Sequence, residues 1–421
     1  MKPEIVTLGC RLNAFESEMM RRHAEDAGLH DTVIVNTCAV TKEALRQARQ
    51  TIRRLRRDRP GTRSIVTGCA AQLHPERFAA MAEVDRVLGN AEKLDPASYA
   101  PGNDAPVSVA DIMTAEMPFG PDDRPMLEDF GARSRAFVQI QQGCDHRCTF
   151  CIIPFTRGRS VSLPATRIVE QVARLVDGGH SEAVLTGVDI SSYGRDLDGR
   201  AGLGRLAARL LAEIPGLKRL RFGSLDPAAI DEDLIRLLGD EPRLMPHLHL
   251  SLQAGDDTIL KRMKRRHLTA DALALARRLR AARPDVVFGA DLIAGFPTES
   301  EALFANTLRH VTEMGELGLV YLHVFPYSSH DATPASRMPQ VPGAVRKERA
   351  ARLRALGDRL AARFLETRIG STAQVLVEDD GNGRSEHYAP VRLTTGAAPG
   401  RLIAARITAR QGNALIGAAL A

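Results

Sequence analysis

Strand-like and helix-like segments alternate from the start of this chain, and each of the first three strands runs into a cysteine. EIVTLG, TVIVNT and RSIVTG have the apolar, β-branched texture of buried strands, and Cys10, Cys38 and Cys69 follow them directly. NAFESEMMRRHAEDAG, closed by Gly28, and a segment from about Thr41 to Asp58 read as the intervening helices. Such alternation predicts a parallel α/β sheet. In an open parallel sheet, ligand sites lie beyond the carboxyl ends of the strands. Residues far apart in sequence thereby become neighbours in one crevice. Taken singly, each cysteine reads as a small buried hydrophobe; taken together they are candidate ligands of an iron–sulfur cluster.

The other three cysteines are compact. Cys144, Cys148 and Cys151 form Cys-x-x-x-Cys-x-x-Cys in QQGCDHRCTFC. Three thiolates can hold three irons of a cubane cluster and leave the fourth iron open to another ligand. Disulfides and zinc are the competing readings. MKPEIVTLG lacks the charged region and cleavage site of a secretory signal, so the expected location is the cytoplasm, where stable disulfides are rare. Structural zinc takes four protein ligands, often as two Cys-x-x-Cys pairs, and three plus three does not meet that count. The expectation is two [4Fe-4S] clusters.

The 421 residues suggest more than one domain, and no apolar run is long enough to span a bilayer, so no membrane partner is expected. A net charge of +6 permits a polyanionic partner. With no Trp and 4% aromatic residues, recognition by stacking is disfavoured and arginine must contribute most. Arg46, Arg49, Arg53, Arg54, Arg56, Arg57 and Arg59 crowd the second helix and its end, with only Glu43 and Asp58 as acids nearby in sequence. That pattern reads as a solvated face or as a phosphate-contacting helix.

Residues 113–134, in TAEMPFGPDDRPMLEDFGARSR, read as a linker after a first domain over 1–112. Over 135–342, six strand-like runs follow: AFVQIQQG, EAVLTGV, RLRFGSL, PHLHLSLQ, VVFGADLIAGF and LVYLHVF. Helical segments between them predict a partial parallel (β/α)6 barrel with its active face at the strands' C-terminal ends. The compact triad follows the first of these strands. A long arginine-rich helix is expected over 343–369, and short strands in 370–421 predict a small antiparallel β-barrel.

Cys144, Cys148 and Cys151 after a strand resemble the signature of radical S-adenosylmethionine enzymes. GCRLNAFESE, NTCAVT and TGCAAQ in the first domain, then LTGVDISSYG, LHLSLQAG, RMKRRH, GFPTE and HVFPYS, resemble the methylthiotransferase family of these enzymes. The resemblance runs over essentially the whole chain. It implies a radical S-adenosylmethionine barrel whose open iron chelates the cofactor, with a 5′-deoxyadenosyl radical as the product of its cleavage. It also implies a C-terminal TRAM domain that holds tRNA.

The arginine in GCRLN, with NTCAVT, is most similar to the branch acting on N6-threonylcarbamoyladenosine. The implied reaction inserts a methylthio group at C2 of that nucleoside beside the anticodon. Cys10, Cys38 and Cys69 would present the sulfur-bearing second cluster, and a cellular electron donor and sulfur source would be required. Isopentenyladenosine tRNA or a ribosomal-protein aspartate are the alternative substrates, and a non-enzymatic iron–sulfur RNA-binding protein is the alternative class. Gly187, Val188 and Asp189 stand where relatives contact the methionine amine, although Gly187 also suits a plain turn. Gln253 and Gly295, Phe296 and Pro297 are candidates to line the cofactor pocket. His249 and His323 read as inward-facing or merely core histidines, and Arg157 and Arg159 as anion contacts or surface residues. Thr298 stands where the family usually has Gly, Ala254 where Ser is usual, and His330 and Ala332 where Arg and Gly are common.

Overall fold

The computed structural model describes residues 2–115, 126–131, 133–199, 201–379 and 381–420. Part of the expected linker, 116–125 and 132, therefore lies outside the described residues. The chain opens with β1 (Glu4–Thr7), α1 (Arg11–Asp26), β2 (Thr32–Thr37), α2 (Lys42–Asp58), β3 (Arg63–Gly68), α3 (Cys69–Leu73) and α4 (Pro75–Ala79). Two short strands, β4 (Arg86–Leu88) and β5 (Val107–Ser108), complete a five-stranded parallel sheet in the order β1-β2-β3-β4-β5. Sequence texture did not reveal β4 and β5, because three and two residues carry no readable periodicity. Every residue of β2 is buried, as expected for a central parallel strand.

Strand register aligns the ends: Thr7 pairs with Asn36, and Thr37 with Gly68. Cys10 is the N-cap residue of α1, Cys38 follows β2, and Cys69 opens α3. Thr41 caps α2 by accepting a hydrogen bond from the Ala44 amide at 3.1 Å. The fold also supplies α2 with acids that its own sequence lacks. Arg56 meets Asp85 at 2.5 Å, Arg53 meets Glu83 at 3.7 Å, and Arg59 meets Glu4. The expectation that Glu43 and Asp58 stand alone against this run is thus corrected, since neighbouring loops and β1 come close in space.

The second unit begins with β6 (Arg135–Gln139). A two-stranded ribbon of β7 (Gln141–Gln142) and β8 (Val161–Ser162) flanks α5 (Ile153–Arg157). The alternation continues with α6 (Ala165–Asp177), β9 (Glu182–Thr186), α7 (Leu203–Glu213), β10 (Arg219–Phe222) and β11 (Ser224–Leu225). It closes with α8 (Glu232–Asp240), β12 (His247–Gln253), α9 (Asp257–Arg262), α10 (Thr269–Ala282), β13 (Val287–Ala294), α11 (Glu301–Glu316) and β14 (Leu319–Pro326). Parallel strands β10-β9-β6 form one sheet and β11-β12-β13-β14 another. RLRFGSL spans both, so the break between β10 and β11 hinges the two into a partial barrel. α12 (Gly343–Thr367) then packs Leu353, Leu356 and Leu360 into the barrel core.

The last unit is a closed barrel of β15 (Thr372–Asp379), β16 (Asn382–Arg384), β17 (Pro390–Leu393), β18 (Leu402–Gln411) and β19 (Ala414–Ala419). It is antiparallel except where β17 runs parallel to β19. EHYAPVRL enters the sheet only at Pro390, because Ser385 to Tyr388 form a turn closed by a 3.0 Å backbone hydrogen bond. Among the described residues, no helix is long and apolar enough to cross a membrane.

Candidate functional site

The compact cysteine loop is clamped at both ends and along its length. Pairing of Gln141 with Ser162 and of Gln142 with Val161 brings its ends together. Gly143 adopts a φ of 69°, and a Cβ there would lie 1.7 Å from the Arg159 carbonyl oxygen, so only glycine fits. The Cys144 amide donates to Gly158 at 3.1 Å and the Cys151 amide to Cys148 at 3.1 Å. Thr149 pins the loop to α9 and the residue after it, its hydroxyl donating to the Arg262 carbonyl at 2.8 Å and its amide to Met263 at 3.1 Å. Arg265 Nη1 stands 3.7 Å from Cys148 Sγ. Burial pushes Cys144 up to about 11 and Cys151 up to about 12, so these sulfurs become thiolates when a metal centre displaces their protons.

At the strand-end triad, Gly9 allows the closest approach. Its φ is 102°, and a Cβ would stand 2.8 Å from Cys38 Cβ and 3.2 Å from Cys38 Sγ. Cys10, Cys38 and Cys69 are near enough for their charges to act on one another, and burial raises Cys38 to about 11. Beside them sits a buried charge group of which sequence reading named only Arg157, as a candidate anion contact. Glu16, Arg157 and Lys93 are all buried. Glu16 meets Lys93 at 2.6 Å and Arg157 Nη2 at 3.0 Å, with Arg157 Nη1 bonded to its other oxygen. Burial works to raise the Glu16 carboxyl, but Arg157 and Lys93 outweigh it and hold it below the usual range. Arg157 Nε also points at Cys69 Sγ, 3.2 Å away.

Two cations and one carboxylate leave one surplus positive charge beside Cys69. Uncompensated buried charge is costly. Three cysteine thiolates around an oxidised four-iron core carry about one net negative charge, which is the sign this interior lacks. Both triads supply three sulfur donors and no fourth cysteine, since all six cysteines of the chain are used. The residues therefore fit two open-cornered clusters.

One short helix, α5, connects the two triads. Arg157 ends the helix that follows Cys151, and the Asn90 side chain donates to the Thr156 carbonyl at 2.6 Å. A cavity of about 240 Å³ is walled by Val40 and Thr41 from the first unit, Cys151 from the loop, and Gln253, Asp291 and Tyr327 from the barrel. Gln253 holds a φ of 68°, a strained position for a non-glycine residue and one that cavities of this kind favour. Asp189 lies 2.9 Å from His146 Nε2 in the cysteine loop, out of line for a straight hydrogen bond. The Val188 and Asp189 amides both donate to Gln141 Oε1, and Gly187 packs against the Gln141 backbone. This places all three beside the loop.

Gly295, Phe296 and Pro297 do not line the 240 Å³ cavity. Gly295 abuts Arg346 of α12, and Phe296 is fully buried, edge-on to Phe150, which does line it. Thr298 has a φ of 67°, which explains why glycine suits that position, and its hydroxyl accepts from Arg262 at 2.7 Å. His330 Nε2 reaches the Val40 carbonyl at 3.0 Å and ties the barrel to the first unit. Arg159 is exposed and paired with Asp145 at 2.7 Å. His249 is buried at 3.0 Å from Asp291, and His323, 61% exposed, lies 3.4 Å from the same oxygen. Asp291 carried no sequence signal, because a single acid in a strand has no spacing to read.

A cysteine loop at the mouth of a partial parallel barrel defines a radical S-adenosylmethionine protein, and the profile of the Radical SAM superfamily matches residues 138–311. The profile of Uncharacterized protein family UPF0004 matches residues 2–89. Threonylcarbamoyladenosine tRNA methylthiotransferase MtaB of Rickettsia prowazekii is 47% identical over 97% of this chain and 95% of its own length. The tRNA-2-methylthio-N(6)-dimethylallyladenosine synthase of Erythrobacter litoralis is 35% identical over 98% of this chain and 96% of its own. A solved radical S-adenosylmethionine methyltransferase, TsrM from Kitasatospora setae, is similar in fold at a TM-score of 0.55 and 14% identity. That match covers 80% of this chain and 74% of that chain. The chain belongs to the methylthiotransferase family of radical S-adenosylmethionine enzymes. Membership brings a [4Fe-4S] cluster and S-adenosylmethionine as cofactors.

Proposed function

We propose that this enzyme inserts a methylthio group at C2 of N6-threonylcarbamoyladenosine beside the anticodon of tRNA. The observation that carries the reading is Arg157, which ends the helix after Cys151 and reaches Cys69 Sγ at 3.2 Å, so that one short helix links the two cysteine triads. Cys144, Cys148 and Cys151 hold the radical-generating cluster, and Cys10, Cys38 and Cys69 hold a second cluster that presents sulfur. When bound, the cluster and S-adenosylmethionine supply a radical able to take hydrogen from an unactivated C–H bond.

The chain's own residues do the positioning. Arg265 stands against Cys148, and Arg157 against Cys69. Gln253 and Asp189 flank the cysteine loop, where a cofactor amine or ribose would be held. Gly187, Val188, Gly295, Phe296 and Pro297 shape the walls behind it. Val40, Phe150 and Tyr327 give the cavity apolar sides that exclude water. The C-terminal barrel, over 370–421, holds the tRNA. A cellular reductant and a sulfur source complete the reaction, which takes place in the cytoplasm with its tRNA.

Nucleosides from a strain lacking the protein test this reading by mass spectrometry. Loss of 2-methylthio-N6-threonylcarbamoyladenosine, with accumulation of its unthiolated precursor, is expected. Loss of the isopentenyl derivative instead would move the substrate assignment, and an unchanged nucleoside pool would remove it.

A further inference from the structure

A second and larger cavity, of about 520 Å³, opens beside the one at Cys151. Three units of the fold build it: Arg11 from the first turn of α1, His249, His323 and Arg354 from the barrel and α12, and Arg384 and Tyr388 from the C-terminal barrel. Its lining includes three arginines and a single acid, Asp358. Among the described residues, neither Arg11 nor Arg354 has a carboxylate within ion-pair distance. Arg11 Nη2 faces the Tyr388 hydroxyl at 3.4 Å, and Arg354 donates to the Val324 carbonyl at 3.0 Å. Arg384 is only loosely held, 3.7 Å from Glu378.

Other arginines nearby are matched, such as Arg221 with Glu182 at 2.9 Å and Arg135 with Glu378 at 2.6 Å. The unmatched charge is therefore a property of this cavity. Tyr388 sits in the field of both kinds of arginine: burial works to raise its phenol, yet the matched Arg135 and then Arg11 outweigh burial and hold it below its ordinary value.

The two cavities share no lining residue and are linked by one ion-paired group. Asp291 lines the Cys151 cavity, and its partners His249 and His323 line the larger one. A base held near Cys151 can therefore extend a substituent past Asp291 and into the arginines. Resting on the function proposed above, we infer that this cavity receives the threonyl carboxylate of the substrate nucleoside, with Arg11 as its principal partner and Arg354 and Arg384 adding to the positive field. The guanidinium fork suits a carboxylate in a way no neutral group matches. A hydrocarbon substituent would desolvate these cations and return nothing, so the cavity also selects against nucleosides with an uncharged N6 arm.

The test uses the full chain, anaerobic and with both clusters reconstituted, and anticodon stem-loops as probes. One carries N6-threonylcarbamoyladenosine, one its methyl ester, and one unmodified adenosine. The free acid should bind about 10- to 100-fold more tightly than the ester, the range for one charge-assisted contact. Arg11→Gln should erase most of that preference, and Arg354→Gln should reduce it. Equal binding of acid and ester by the wild-type chain, both tighter than unmodified RNA, would overturn the cavity assignment and leave the proposed reaction standing. Equal binding of all three would overturn both. A preference kept in full by a cluster-loaded Arg11→Gln chain would also overturn it. The acid–ester comparison needs no variant, so a poorly folded variant cannot shelter the inference.

Discussion

Glu16→Gln separates the two charge states of the interior beside Cys69. The substitution keeps the shape of the side chain and removes the one carboxylate that Arg157 and Lys93 share. Glu16 and Lys93 are 0% exposed and Arg157 is 2% exposed at their side chains, so water cannot replace the lost partner. Removing one member of a buried ion pair costs about 3–5 kcal/mol, because the remaining charge stays desolvated. For a domain of this size that corresponds to a fall on the order of 10 °C or more in unfolding temperature.

Cluster loading should change the result. Without metal, two buried cations are left without the carboxylate they share, and the full loss is expected. With the anionic cluster on Cys10, Cys38 and Cys69, one cation regains a partner and the loss should shrink clearly. Anaerobic calorimetry of cluster-free and reconstituted protein, wild type against variant, measures both. A cluster-free Glu16→Gln chain that unfolds within about 2 °C of the wild type would refute the buried-charge argument. An equal loss in both forms would refute the matching of charge to cluster.

Further outcomes follow from other parts of the molecule. Cys144→Ala should abolish reductive cleavage of S-adenosylmethionine while the iron content falls by about half, as the proposal of one cluster on each triad requires; retained cleavage would move the radical centre elsewhere. Docking of the C-terminal barrel should depend on pH through His387, 3.1 Å from Asp285 and 3.4 Å from Glu386. Burial opposes the imidazolium, but Asp285 and Glu386 outweigh it and raise His387 above its ordinary value. The stabilisation is then complete below about pH 6.5 and is lost as pH rises through the folded-state value. Proteolysis at the α12–β15 junction should quicken over that window, and His387→Gln should flatten the dependence. Arg49 and Arg54 are exposed and have no carboxylate within ion-pair distance among the described residues. Reversing both charges should weaken tRNA binding and lower the salt slope by about one for each lost phosphate contact. Unchanged affinity at low salt would mark α2 as a solvated face.

Much of this was legible in the chain itself. β1 to β3 and the six barrel runs announced themselves because each is long enough for apolar texture to emerge, and spacing alone marked Cys144, Cys148 and Cys151 as one ligand set. The positions of Cys10, Cys38 and Cys69 at strand ends followed from the rule that parallel strands deliver their ends to one edge. Partners across units did not follow. Arg157 reads equally as an anion contact or a surface residue until folding buries it against Glu16 and Cys69, which lie 141 and 88 positions away. Arg11 and Tyr388 are separated by 377 positions and meet at one cavity. Local sequence fixes which segments become strands and which compact cysteine set is a candidate ligand group, because those choices depend on periodicity and spacing over a few turns. Which charges are matched, and which are left facing a cavity, depends on what three units bring within a few ångströms of each other, and only the tertiary structure decides that.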